Sequence, residues 1–200
     1  MTSVNNPNLK ESPSQTAGPY VHIGMLPVAA GNPARSQEID HLLARNEGEN
    51  TIKVVGRVVD GNGNLIKDAF IEVWQANEKG EYQSNYSLNN DFNSFGRTAT
   101  DFGTGEWTIS TVKPGSVETA LGTMAPHIGL AIFARGINIQ LHTRLYFADE
   151  AEKNAKCPIY TLIEHPARRE TLLAHYDEDA KAYRFDVVVQ GEGETVFFDF

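Results

Sequence analysis

Cysteine is nearly missing from this chain: Cys157 is the single one among 200 residues, so no internal disulfide can form. A lone thiol reads as a small buried side chain, because a reactive one needs an electropositive and accessible setting. Long hydrophobic runs are missing too. No stretch approaches the roughly 20 apolar residues of a membrane helix, and the opening "MTSVNNPNLKESPSQ" lacks the apolar segment of a secretion signal. Together these point to a cytoplasmic protein. Basic residues are in deficit, 17 Lys and Arg against 26 Asp and Glu for a net charge of −9. Nucleic acid and anionic membrane surfaces both need a basic patch, so neither is expected as a partner. One local cationic pocket for a small anion stays possible. Several motifs are absent as well. No glycine-rich phosphate loop leads into a helix, and there is no Gly-x-Ser-x-Gly. None of the six histidines sits in a tightly spaced metal-ligand pair, and no repeat of 20 to 50 residues occurs.

What is present is ordinary globular material, 40% hydrophobic and 22% charged, in a chain long enough to bury a real core. Residues 1–15 are polar, carry Pro7 and Pro13, and read as an extended arm. Residues 16–200 are expected to form a single domain. "TAGPYVHIGM" suits a tight turn that something else packs against, and "SQEIDHLLAR" reads as a short helix capped by Ser36. From residue 51 the hydrophobic period becomes two. "TIKVVGRVVD", "AFIEVWQA", "EWTISTV", "HIGLAIFA", "INIQLHTRLYF", "YRFDVVVQ" and "TVFFDF" read as strands. "DGNGNLIKD" and "NSFGRTATD" read as turns, and residues 149–176 as helical, with Pro166 at a first helical position. About seven short strands between turns give a mainly β fold, an antiparallel β-sandwich decorated by short helices and long loops.

Two residues stand out chemically. In "MAPHIGLAIFARG" His127 leads an apolar strand, and Gly129, facing the same way, takes the place where a His-x-His metal pair would have its second member. A core histidine and half of a metal site are both open readings. Arg135 ends the same strand, where an arginine must reach solvent or find an anion. Its planar fork suits a carboxylate; an exposed turn residue is the other reading.

Five segments, "SPSQTAGPYVHIG", "GNGNLIKDAFIEVWQANEKGEY", "NSFGRTATD", "TVKPG" and "FARGINIQLHTRLYF", occur in this order. Together they resemble the intradiol ring-cleavage dioxygenases, from about residue 12 to the C-terminal "GEGETVFFDF". The resemblance implies a β-sandwich of mixed topology. It also implies Fe(III) held by two tyrosines and two histidines in the catalytic chain, and a catechol substrate cleaved with O2. Hard phenolate oxygens suit the ferric state. Against that pattern, Arg-Pro-x-His-x-His is here Met124-Ala125-Pro126-His127-Ile128-Gly129, and one ligand tyrosine falls on Val117, after "KPGS". The second tyrosine belongs to a loop between "EYQ" and "FGR" that is shorter here, with Tyr86 nearby. The family's assisting arginine and glutamine correspond to Met124 and Arg144.

At most two of four ligands are left, so no metal-binding and no catalytic residue is expected in this chain. The resemblance is closest to the non-iron alpha chain of the family's heteromeric, bacterial members. It implies that Fe(III) is bound by a partner beta subunit in an obligate αβ hetero-oligomer. The alpha chain then helps close the substrate pocket, with Thr16, Gly18, Pro19, Tyr20 and Arg135 as substrate-binding residues and Arg135 facing the carboxylate of 3,4-dihydroxybenzoate. Phe92, Phe95, Phe102 and the terminal "VFFDF" are candidates for the subunit interface or for core packing. Two alternatives differ in kind: a self-sufficient dioxygenase with altered ligands, and a transthyretin-like sandwich that only binds or scaffolds.

Overall fold

The protein is described by a computed structural model covering residues 15–18, 20–27, 30–32, 50–87 and 90–199. The expected arm up to residue 14 and the helix expected over residues 36–45 lie outside the described residues, as does Pro19.

The period-two segments fold as two layers. One is built from β2 (Phe70–Gln75), β3 (Phe95–Ala99), β7 (His127–Phe133) and β8 (Leu141–Phe147), hydrogen-bonded in the order β3-β2-β7-β8, all antiparallel. The other is centred on β1 (Thr51–Val59), which pairs antiparallel with β4 (Glu106–Val112) and parallel with β10 (Ala182–Arg184) and β11 (Val187–Val188). β9 (Leu173–Asp177) joins the layers, parallel to β8 on one side and antiparallel to β10 on the other. Apolar side chains from both layers meet between them, among them Val54, Val58, Ile71, Trp107, Ile128 and Leu145, none with measurable exposure. This is the expected sandwich, with parallel pairs mixed into it.

One polar residue sits inside that core without penalty. Gln75 is fully buried, donating to the Ala76 and Val112 carbonyls and accepting from the Thr111 hydroxyl at 2.8 Å. A second apolar cluster (Met124, Tyr146, Cys157, Tyr160 and Leu172) lies under α2 (Ala151–Asn154), α3 (Pro158–Leu162) and α4 (Pro166–Glu170). Cys157 is a free, buried thiol there, as its isolation suggests. A hairpin of β5 (Val117–Thr119) and β6 (Gly122–Met124) closes the same end. No helix among the described residues is long and apolar enough to cross a membrane.

Local expectation fails where tertiary pairing decides. Pro166 does begin a helix, but that helix ends at Glu170, and "LAHYD" is strand β9 because β8 and β10 both offer it unpaired backbone edges. "FGRTA" within the expected turn "NSFGRTATD" is strand β3, paired along β2. β8 starts at Leu141, leaving Ile139 64% exposed outside the ladder. "YRFDVVVQ" breaks into β10 and β11 around Phe185-Asp186, and "TVFFDF" makes one isolated bridge, His142 with Phe198, instead of a strand.

Candidate functional site

Two places in the fold bear on chemistry, and both hang on β7. At its C-terminal end Phe70 of β2 pairs with Phe133, their rings stacked 4.3 Å apart. Asp68 and Arg135 lie two residues beyond that pair, in the turns that flank the two strands, and the antiparallel pairing brings these turns side by side. There the Arg135 Nε donates to the Asp68 carboxylate. Neither Nη of Arg135 has a partner among the described residues, and its side chain is 68% exposed. The chain turns just after it. Ile137 N–H donates to the Ala134 carbonyl, and Gly136 has φ 84°, the left-handed position that a type II turn reserves for glycine.

That turn is tied to the N-terminal segment. Gly136 N–H donates to the Thr16 hydroxyl at 2.8 Å, and Val21 N–H to the Gly18 carbonyl at 3.1 Å, opening the short helix α1 (Val21–Met25). Between turn and helix lies a cavity of about 420 Å³ walled by Gly18, His22, Asp68, Phe102 and Arg135. His22 is buried, its ring 5.5 Å from that of Phe102 and 6.4 Å from that of Phe70. Its Nε2 has no hydrogen-bond partner among the described residues. Burial lowers its pKa, against the raising effect of Asp68, and Arg135 lowers it further. The ring is therefore neutral near pH 7.

Of the five residues expected at a substrate pocket, Arg135 and Gly18 line this one and Thr16 pins its rim. Tyr20 is 80% exposed and is not part of the wall. Asp68, His22 and Phe102 were not anticipated there. Asp68 could have been found by pairing "AFIEVWQ" against "HIGLAIF" and extending the ladder by two residues. His22 and Phe102 carry no local signal that leads to the cavity.

At the other end of β7, His127 pairs with Tyr146 of β8, and Gly129 lies between Trp74 of β2 and Arg144 of β8. Val117 pairs with Met124 in the neighbouring hairpin. His127 Nδ1 donates to the Ala125 carbonyl at 2.7 Å, which leaves Nε2 with the lone pair. Burial pushes the His127 pKa down to about 4, partly countered by that hydrogen bond and reinforced by Arg144. The guanidinium of Arg144 reaches 3.5 Å from the Met124 sulfur. A cavity of about 350 Å³ here is lined by His127, Gly129, Arg144, Trp74 and Tyr82.

These residues do not fit a ferric ion. One imidazole remains; against the family pattern an alkyl group and a glycine stand where a phenolate and a second imidazole are needed, and an arginine brings positive charge to the same space. The phenols of Tyr82 and Tyr146 are both pushed up by burial, against the opposing charge of Arg144. Among the described residues no three His, Cys, Asp or Glu side chains gather as a metal group.

Comparison with known proteins agrees with this architecture. The dioxygenase family model matches residues 27–191. The chain belongs to the intradiol dioxygenase family. Within it, the chain is 64% identical over 197 residues to a protocatechuate 3,4-dioxygenase alpha chain of Pseudomonas putida, covering 96% of this chain and 98% of that one. It is 38% identical to the alpha chain of Burkholderia cepacia over 96% and 98% of the two chains. To the beta chain of the same species it is 30% identical, over 78% of this chain and 74% of that one. Among solved structures, catechol 1,2-dioxygenase from Pseudomonas arvilla C-1 superposes with a TM-score of 0.58 at 19% identity, over 76% of this chain and 56% of that one. That likeness speaks for the fold. The transthyretin-like alternative is thereby replaced, as a matter of family, by the dioxygenase sandwich.

Proposed function

We propose that this chain is the non-iron alpha subunit of a heteromeric protocatechuate 3,4-dioxygenase. The enzyme would cleave 3,4-dihydroxybenzoate with O2 to 3-carboxy-cis,cis-muconate in the bacterial cytoplasm. Fe(III) belongs, in this reading, to a partner beta subunit in an obligate αβ assembly, and supplies there the redox chemistry with catechol and O2. The observation that carries the proposal is the composition around His127. Of the family's metal-binding and assisting set, Val117 and Gly129 take the place of a tyrosine and a histidine ligand, and Met124 and Arg144 that of the assisting arginine and glutamine, in a chain 64% identical to an alpha chain over 96% of its length. A self-sufficient enzyme would need that set intact.

The chain's own contribution is the wall at the end of β7. Arg135 would take the substrate carboxylate on its open Nη edge, since two parallel N–H···O bonds match that anion. Thr16 and Gly18, with Pro19 and Tyr20 beside them, would fix the backbone that closes the pocket mouth. A charge-assisted hydrogen bond is worth about 1.5–3 kcal/mol, so Arg135→Ala in the assembled enzyme should raise KM for 3,4-dihydroxybenzoate roughly 10- to 100-fold. Steady-state kinetics on the αβ complex checks this. Unaltered kinetics would remove Arg135 from the pocket and leave the alpha chain a scaffold.

A further inference from the structure

We infer that Asp68 is a positioning residue for ligand binding, holding Arg135 by its Nε so that the outer edge of the guanidinium points at a ligand carboxylate. The inference rests on the reading of Arg135 as a substrate contact, and adds to it the group that makes Arg135 directional. An arginine at a turn, with its side chain 68% exposed, would by itself sample many rotamers and lose that freedom on binding. Asp68 is the more enclosed partner, its side chain 20% exposed, and it lies in the turn two residues before β2 begins. It engages Nε alone, and leaves both Nη groups without partners among the described residues. A carboxylate can therefore dock on the Nη edge without displacing Asp68.

The groups around the pair fit this role. His22 lines the same cavity and is kept neutral by burial, so it does not compete as a cation for Asp68. Phe102 and the His22 ring, tilted 51° to each other, give the cavity aromatic walls. The ligand class is a small planar aromatic body carrying one carboxylate, held on an arm ordered before it arrives.

Asp68→Ala and Asp68→Asn in the αβ holoenzyme test this, with Arg135→Ala alone and combined. Binding of 3,4-dihydroxybenzoate is compared with that of a catechol lacking the carboxylate. Asp68→Ala should raise KM for the acid about tenfold with kcat moving less, and weaken the plain catechol far less. Asp68→Asn, whose amide oxygen still accepts from Nε, should restore most of that loss. In the Arg135→Ala background Asp68→Ala should add nothing. Equal losses for both ligands, a lowered KM in both Asp68 variants, or Asn no better than Ala would overturn the inference. If Arg135→Ala raises KM while Asp68→Ala does not, the inference alone fails; if Arg135→Ala has no effect, the reading beneath it fails too.

Discussion

His127 holds its proton balance through burial. Its pKa of about 4, against 6.5 in an unfolded chain, means the folded protein refuses a proton that the unfolded chain accepts. Stability from this group is therefore intact above pH 6.5 and eroded as pH falls toward 4, by up to roughly 3 kcal/mol. Below that both states carry the proton and the loss stops. In His127→Asn the decline between pH 6.5 and 4 should be shallower than in the native protein, as read by urea unfolding across that range. Parallel curves would mean that His127 is not buried neutral. Of the residues that matter, Arg135 and His127 were legible in the sequence because each breaks an apolar strand. Asp68 was not, since "KDAF" reads as a turn end until the β2–β7 register is known. His22 was hidden for another reason: its partners Phe70 and Phe102 are distant in sequence.

Among the elements, β1 shows how tightly the two layers fit. Gly56 pairs with Trp107 of β4, and a Cβ there would lie 1.8 Å from the Phe185 carbonyl oxygen and 2.8 Å from the Trp107 ring. Backbone cannot yield as a flexible side chain can, so Gly56→Ala should cost roughly 3 kcal/mol. A clear drop in the thermal midpoint, or loss of soluble protein, is expected; an unchanged midpoint would contradict this packing. Strands with strong alternation, such as "EWTISTV" with Trp107, Ile109 and Thr111 all buried, declared themselves in the sequence. β9 did not, because "LLAHY" follows a helix and alternates poorly; only the open edges of β8 and β10 make it a strand. The tail "TVFFDF" shows the converse. Its alternation is real, but Phe197 and Phe198 use it to pack on the two apolar clusters rather than to extend the ladder.

For the molecule as a whole, one strand separates two histories. The start of β7 carries His127, with the Arg144 guanidinium and the Met124 sulfur close by, and just past its end stands Arg135, both Nη groups without partners among the described residues. Family and fold were readable from motif order. Which chain holds iron is a matter of a few side chains, and it decides the role of the protein. The most direct test is iron content, measured on this chain alone, on the αβ complex, and on the complex carrying His127→Ala. The account predicts no stoichiometric iron in the chain alone and one iron per αβ pair in both complexes, with the ferric visible band unaltered by the substitution. Iron bound to the isolated chain and lost with His127 would contradict it.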